Sequence, residues 1–228
     1  NDLGGSLRTP AGFNGVVGLR PSPGLIPRGD RYMPFDTLWV EGPMARTVED
    51  LALMLDSMVG HDIGDPLSFK SKTGCFIESL KKDLKPISIA VSEDLNLVPV
   101  DSEVRKVFKT AINNLSKHGL AINDDIPDFS GVLDAFKTLR GVLMASMLGD
   151  LVKTHKDSIL EDIRKNVQVG FDAKSLDIIE AEKTRRKLTI NMENFFNRHN
   201  FLICPSASIP PFSVDKPFVT EIEGQKCE

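Results

Sequence analysis

The stretch Asp2-Leu-Gly-Gly-Ser-Leu-Arg8 decides how the rest of the chain is read. Two consecutive glycines before a serine permit positive φ and a tight turn, so several backbone N–H groups can converge beside one hydroxyl. An oxyanion hole requires donors fixed in that way, because negative charge develops on oxygen when a nucleophile adds to a carbonyl. Taken alone, the same residues also describe an ordinary Gly-Gly surface turn.

Outward from that stretch, residues 1 to 46 hold eight of the 17 glycines and six of the 14 prolines, which rules out a long helix and predicts turns and short extended pieces. Thr47 is placed to cap a helix, with Asp50 as its capping-box partner. Val48, Leu51, Ala52, Leu55 and Val59 then fall on one helical face, and Gly60 ends it. Residues 61 to 74 read as a loop. Ile87, Ile89 and Val91 alternate with Ser88 and Ala90 after Pro86, which predicts a strand. Asp101 or Ser102 caps a second helix carrying Val104, Val107, Phe108, Ala111, Ile112 and Leu115 and ending at Gly119, and Leu120 to Ile122 is a further short strand. Residues 131 to 199 read as helical, with Leu133, Phe136, Leu139, Leu143 and Met147 apolar, before the strand-like Phe201-Leu-Ile-Cys204 and Pro205. Strand, helix, strand is one α/β unit, so the fold class is α/β.

Composition narrows the partners. The 228 residues are 41% hydrophobic and 26% charged, as in ordinary globular proteins. Lys and Arg number 28 against 32 Asp and Glu, a net charge of -4 that offers no positive field to nucleic acid. Cys75, Cys204 and Cys227 are odd in number and widely spaced, with no zinc-type cluster, so no metal is expected and a reducing, cytoplasmic compartment is. No apolar run reaches membrane-spanning length. Oligomeric state is not set by any of these quantities.

Asp2-Leu-Gly-Gly-Ser-Leu-Arg-Thr-Pro-Ala-Gly-Phe-Asn-Gly-Val-Val-Gly-Leu-Arg-Pro-Ser-Pro-Gly24 resembles the second half of the amidase signature sequence, and Glu41-Gly-Pro-Met-Ala-Arg-Thr-Val-Glu-Asp-Leu-Ala-Leu-Met-Leu55 resembles the block that follows it. The resemblance is strong to about residue 66 and weaker beyond, where the order of elements and Leu202-Ile-Cys-Pro-Ser-Ala-Ser-Ile-Pro210 are similar. It implies part of the amidase-signature fold, a mixed central sheet flanked by helices, and a Ser–cisSer–Lys triad that hydrolyses carboxylic amides through an acyl-serine intermediate without a cofactor. Ser6 stands at the nucleophile position. The backbone amides of Leu3, Gly4, Gly5 and Ser6 would form the oxyanion hole, with Asp2 and Arg8 as polar supports of the loop. In the family the lysine and the second serine precede this motif, in segments not found in residues 1 to 228. The resemblance therefore implies one partial amidase domain over 1–228, truncated at the N-terminus and also, from its polar last residues, at the C-terminus.

The expected substrate is a small-molecule amide. The alternative is a catalytically incomplete fragment or degenerate homologue with a binding or structural role. Two relatives of the same chemistry fit less well. The tRNA amidotransferase subunit usually has Lys-Pro-Thr-Tyr-Gly where this chain has Arg20-Pro-Ser-Pro-Gly24. The fatty-acid amide hydrolases also usually depart from Pro-Ser-Pro-Gly, and no membrane-inserting segment is visible here. His61, His118, His155 and His199 have no acidic partner at a suggestive spacing and are read as non-catalytic. Cys204 reads as a small apolar residue ending a buried strand. Met144 and Met147, with Leu143 and Leu148, read either as core or as the lining of an adaptable acyl pocket. Arg46 reads as internally paired at the turn into the helix from Val48.

Overall fold

A computed structural model describes residues 1–29, 31–70, 76–82, 87–216 and 218–227. In chain order the elements are α1 (Arg8–Asn14), β1 (Val17–Gly18), β2 (Met44–Ala45), α2 (Val48–Met58), α3 (Phe76–Ser79), β3 (Ser88–Val91), α4 (Ser102–Lys117), β4 (Ala121–Asp124), α5 (Val132–Thr154), a 3-10 turn (Lys156–Ser158), α6 (Glu161–Asp172), α7 (Ser175–Phe196), β5 (Phe201–Ile203), β6 (Glu221–Ile222) and β7 (Gln225–Lys226). The class is α/β, as expected. Its main sheet has the order β4-β3-β5 with β3 parallel to both neighbours, and the antiparallel pairs β1-β2 and β6-β7 are separate two-stranded sheets.

The chain divides into two compact units. One comprises residues 1–11, 15–81 and 131–187, the other 12–14, 82–130 and 188–228.

In the first unit, the Thr47 hydroxyl accepts the Asp50 amide at 3.0 Å and starts α2, which buries Leu51, Ala52 and Leu55. Helix α2 ends at Met58, ahead of Gly60. Asp65 is buried and takes both arms of the Arg31 guanidinium, at 2.8 and 2.9 Å, together with the amides of Arg28 and Leu67. That set satisfies a charge which would otherwise be costly to bury. Burial works against the ionised Asp65, but the Arg31 bond and the two amides outweigh it and hold its carboxyl below the usual range. Helices α5 and α6 cross with backbones in close approach: a Cβ on Gly170 would lie 2.0 Å from the Gly141 carbonyl oxygen. Only glycine fits there. The segment 71–74 of the expected loop, Cys75 and Pro86 lie outside the described residues.

In the second unit, β3 is the buried strand, with Ile89, Ala90 and Val91 all in the core. Helix α4 starts at Asp101, whose carboxylate accepts the Glu103 amide at 2.8 Å. Cys204 does not end a buried strand. β5 stops at Ile203, and Cys204 is half-buried just beyond it.

Candidate active site

The Gly-Gly turn is held from below by Asp2. A two-way backbone bridge to Val40, at 2.8 and 3.1 Å, fixes Asp2 in place, and its side chain is fully buried. Oδ1 accepts the Gly5 amide and Arg8 Nη2, both at 3.0 Å, while Oδ2 accepts the Leu7 amide at 3.2 Å and Arg8 Nε at 3.0 Å. Arg20 Nη1 donates to the Asp2 carbonyl at 2.7 Å, and Nη2 donates to the Leu38 carbonyl at 3.0 Å. Burial disfavours the ionised Asp2, but the Arg8 bond and the two amides outweigh it and hold the carboxyl well below the usual carboxylate range. The expected supports, Asp2 and Arg8, thus meet in one ion pair beneath the loop.

Above that clamp, Gly5 has φ 105°, a region side-chain-bearing residues rarely adopt, and a Cβ there would lie 3.0 Å from Thr9 Oγ1. Ser6 is exposed immediately before the buried Leu7 and α1. Among the described residues, the amides of Leu3, Gly4 and Ser6 and the Ser6 hydroxyl have no hydrogen-bond partner. The Gly5 amide corrects the sequence reading. It is spent on Asp2 Oδ1, because a buried carboxylate needs that donor, so the turn offers three amides instead of four.

Ser6, Leu3 and Gly4 border a cavity of about 500 Å³. Its remaining walls are Asn1, Trp39 and one face of α5: Phe136, Arg140, Met144, Met147 and Leu148. These α5 positions recur at helical spacing, so one stripe of the helix faces the serine. Met144, Met147 and Leu148 therefore line a pocket beside Ser6, whereas Leu143 is buried and, with Leu139, borders a separate cavity of about 440 Å³. Leu133 is 48% exposed.

Two further lining residues carry buried side-chain nitrogens with no partner among the described residues. Arg140 Nε and Trp39 Nε1 are buried and unbonded, and among the described residues Arg140 makes no hydrogen bond or ion pair at all. An unpaired buried donor costs about 1–3 kcal/mol, and more when charged. Neither residue belongs to the motif around Ser6. The available signal was a lone cation four residues from Phe136 and four from Met144 on an otherwise apolar stripe.

The structure also gives His199 the acidic partner that sequence spacing did not reveal. His199 Nε2 is 2.8 Å from Asp125 Oδ2 and Nδ1 is 3.0 Å from Ser88 Oγ, with Arg198 also on Asp125 at 2.8 Å. The Arg198 and His199 bonds hold the Asp125 carboxyl below its usual range. The Asp125 carboxylate only accepts, so Nε2 carries a proton in this network. The Ser88 hydroxyl is also engaged by Asn123 at 3.2 Å, so the cluster ties the start of β3 to the segments after β4 and α7 and does not present a free nucleophile. His61, His118 and His155 are exposed. Arg46 is exposed and, among the described residues, unpaired, which corrects the expected internal ion pair. It immediately precedes the cap Thr47, where the turn directs it to solvent.

Among the described residues no group of His, Cys, Asp and Glu could hold a metal ion, and no helix is long and apolar enough to cross a membrane.

The chain is 29% identical over 226 residues to an acylamidase of Rhodococcus erythropolis, covering 98% of this chain and 47% of that protein. It is also 29% identical to a glutamyl-tRNA(Gln) amidotransferase subunit of a Synechococcus species, covering 94% of this chain and 47% of the relative. The fold matches a bacterial aryl acylamidase of the amidase signature family with a TM-score of 0.84 at 23% identity, over 99% of this chain and 49% of that one. The chain spans about half the length of the curated relatives it matches. The Amidase family model matches residues 1–225, and the chain belongs to that family.

Proposed function

We propose that Ser6 is the nucleophile of an amide hydrolase acting on a small carboxylic amide. One observation carries this reading: an exposed serine on a clamped Gly-Gly turn, with three unpartnered amides, opens onto a cavity large enough for a small substrate. In the proposed reaction Ser6 Oγ adds to the carbonyl carbon as a base takes its proton. The amides of Leu3, Gly4 and Ser6 stabilise the oxyanion, the C–N bond breaks as the leaving amine gains a proton, and water then hydrolyses the acyl-serine ester. Among the described residues no lysine, histidine or carboxylate bonds the Ser6 hydroxyl, and the base in this reading is the lysine that the family resemblance puts, with the second serine, ahead of the Gly-Gly-Ser motif.

That same observation favours a second reading, a homologue that keeps the cavity without turnover. Steady-state hydrolysis of a simple aryl amide by the intact protein separates the two. The expected result is turnover that falls about a thousandfold or more in Ser6→Ala. Absence of turnover under all conditions favours the second reading, and unchanged turnover in Ser6→Ala places the nucleophile elsewhere.

A further inference from the structure

The walls of the Ser6 cavity are apolar apart from Asn1, the turn itself and two donors, and no acidic side chain lies among the described lining residues. Arg140 therefore brings a positive charge to the cavity wall with no counter-charge among the described residues. Four other arginines of this unit are paired: Arg8 and Arg20 with Asp2, Arg28 with Glu41, and Arg31 with Asp65. Arg140 is half-buried with its Nε shielded from solvent, and a partly desolvated guanidinium attracts an anion more strongly than one in water, while its planar donors suit a carboxylate. Trp39 adds a second donor that can only donate. Phe136 connects this wall to the turn, since its Cζ lies 3.8 Å from where a Cβ on Gly4 would be, and Arg140 is one helical turn further along α5. An acyl or amine portion lying along Phe136 and Met144 would bring a distal anionic group to Arg140.

We propose that the cavity selects amides bearing a carboxylate remote from the scissile bond, with Arg140 as the specificity-determining cation and the Trp39 indole N–H as a second donor. This deepens the reading of Ser6 as an amidase nucleophile and rests on it. A neutral amide fills the same volume but leaves both donors unpaired. That difference is of the kind that lets a polar site discriminate strongly.

The test is binding to the Ser6→Ala form of the intact protein, measured by isothermal titration calorimetry, so that turnover is not needed. Two ligand pairs are compared: glutaric acid monoanilide with its methyl ester, for a carboxylate on the acyl side, and 4-(butanoylamino)benzoic acid with its methyl ester, for one on the amine side. At least one acid is expected to bind about tenfold or more tightly than its ester. Arg140→Met should bring that ratio close to one, and Arg140→Lys should keep part of it, which shows that a loss in Arg140→Met is not misfolding. Equal binding of acid and ester in both pairs, no binding of any of the four ligands, or an acid preference that survives Arg140→Met would overturn the proposal. Absence of hydrolysis by the unsubstituted protein would instead count against the nucleophile assignment while leaving the acid preference measurable.

Discussion

At Gly5 the backbone has φ 105°, and the space where a side chain would begin is already bounded by Thr9 Oγ1. Gly5→Val therefore has to rotate the turn, which carries the Ser6 hydroxyl and the neighbouring amides away from one another. One lost oxyanion donor costs about 3 kcal/mol in other hydrolases. Gly5→Val is accordingly expected to lower kcat by at least about a hundredfold in a protein whose circular dichroism is unchanged, and wild-type kcat would remove the turn from the mechanism. Asp2 holds the same turn from the other side. Its folded pKa is depressed below the ordinary 3.8, so its stabilising contribution is complete above the unfolded value and is lost as pH falls through the folded one. Asp2→Asn removes the buried carboxylate that accepts the Gly5 and Leu7 amides and pairs with the partly exposed Arg8 and Arg20, and should cost about 1–3 kcal/mol at neutral pH. Urea unfolding is expected to show that deficit unchanged from about pH 8 to about pH 5, then narrowing as pH falls further. A deficit that widens on acidification would show that Asp2 is not ionised in the folded protein.

Helices α5 and α6 test packing where propensity points the opposite way. Alanine is about 1 kcal/mol better than glycine in a helix interior, yet a Cβ on Gly170 would lie 2.0 Å from the Gly141 oxygen. Overpacking of a close contact costs about 1–3 kcal/mol, so Gly170→Ala should destabilise the protein in chemical denaturation. Gly60→Ala, where nothing lies within 4 Å, serves as the control and should be near neutral. Stabilisation by Gly170→Ala would mean that the helices do not cross this closely. The same contrast explains how much of the fold was legible beforehand. Thr47 and Asp101 announce their helices because a cap is a local bond over two or three residues. The helical stretch from 131 to 199 read as one pattern, whereas its breaks, at the 3-10 turn and between Asp172 and Ser175, accompany contacts between distant segments such as Gly141 with Gly170. In the candidate site, Ser6, the glycines, Asp2 and Arg8 stand out in the sequence because they lie within one seven-residue stretch. Arg140 and Trp39 do not, since only folding brings α5 to the turn. The Gly5 amide was misassigned because its partner Asp2 lies three residues back on a turn whose hydrogen bonding depends on buried geometry.

At the scale of the whole molecule, the described sheet has one buried strand between two more exposed ones, and Phe201 of β5 is 52% exposed. Unpaired strand edges and exposed apolar side chains promote association. Residues 1 to 228 expressed alone are therefore expected to associate as concentration rises, in light scattering, and to lack amide turnover. A monomeric, active 1–228 chain would place the base on one of its own residues. The central claim, that Ser6 is the nucleophile, is tested most directly by treating the intact protein with a fluorophosphonate and mapping the adduct by peptide mass spectrometry. The expected adduct is on the peptide holding Ser6 and is abolished in Ser6→Ala. An adduct on any other residue, or labelling that persists in Ser6→Ala, would contradict it.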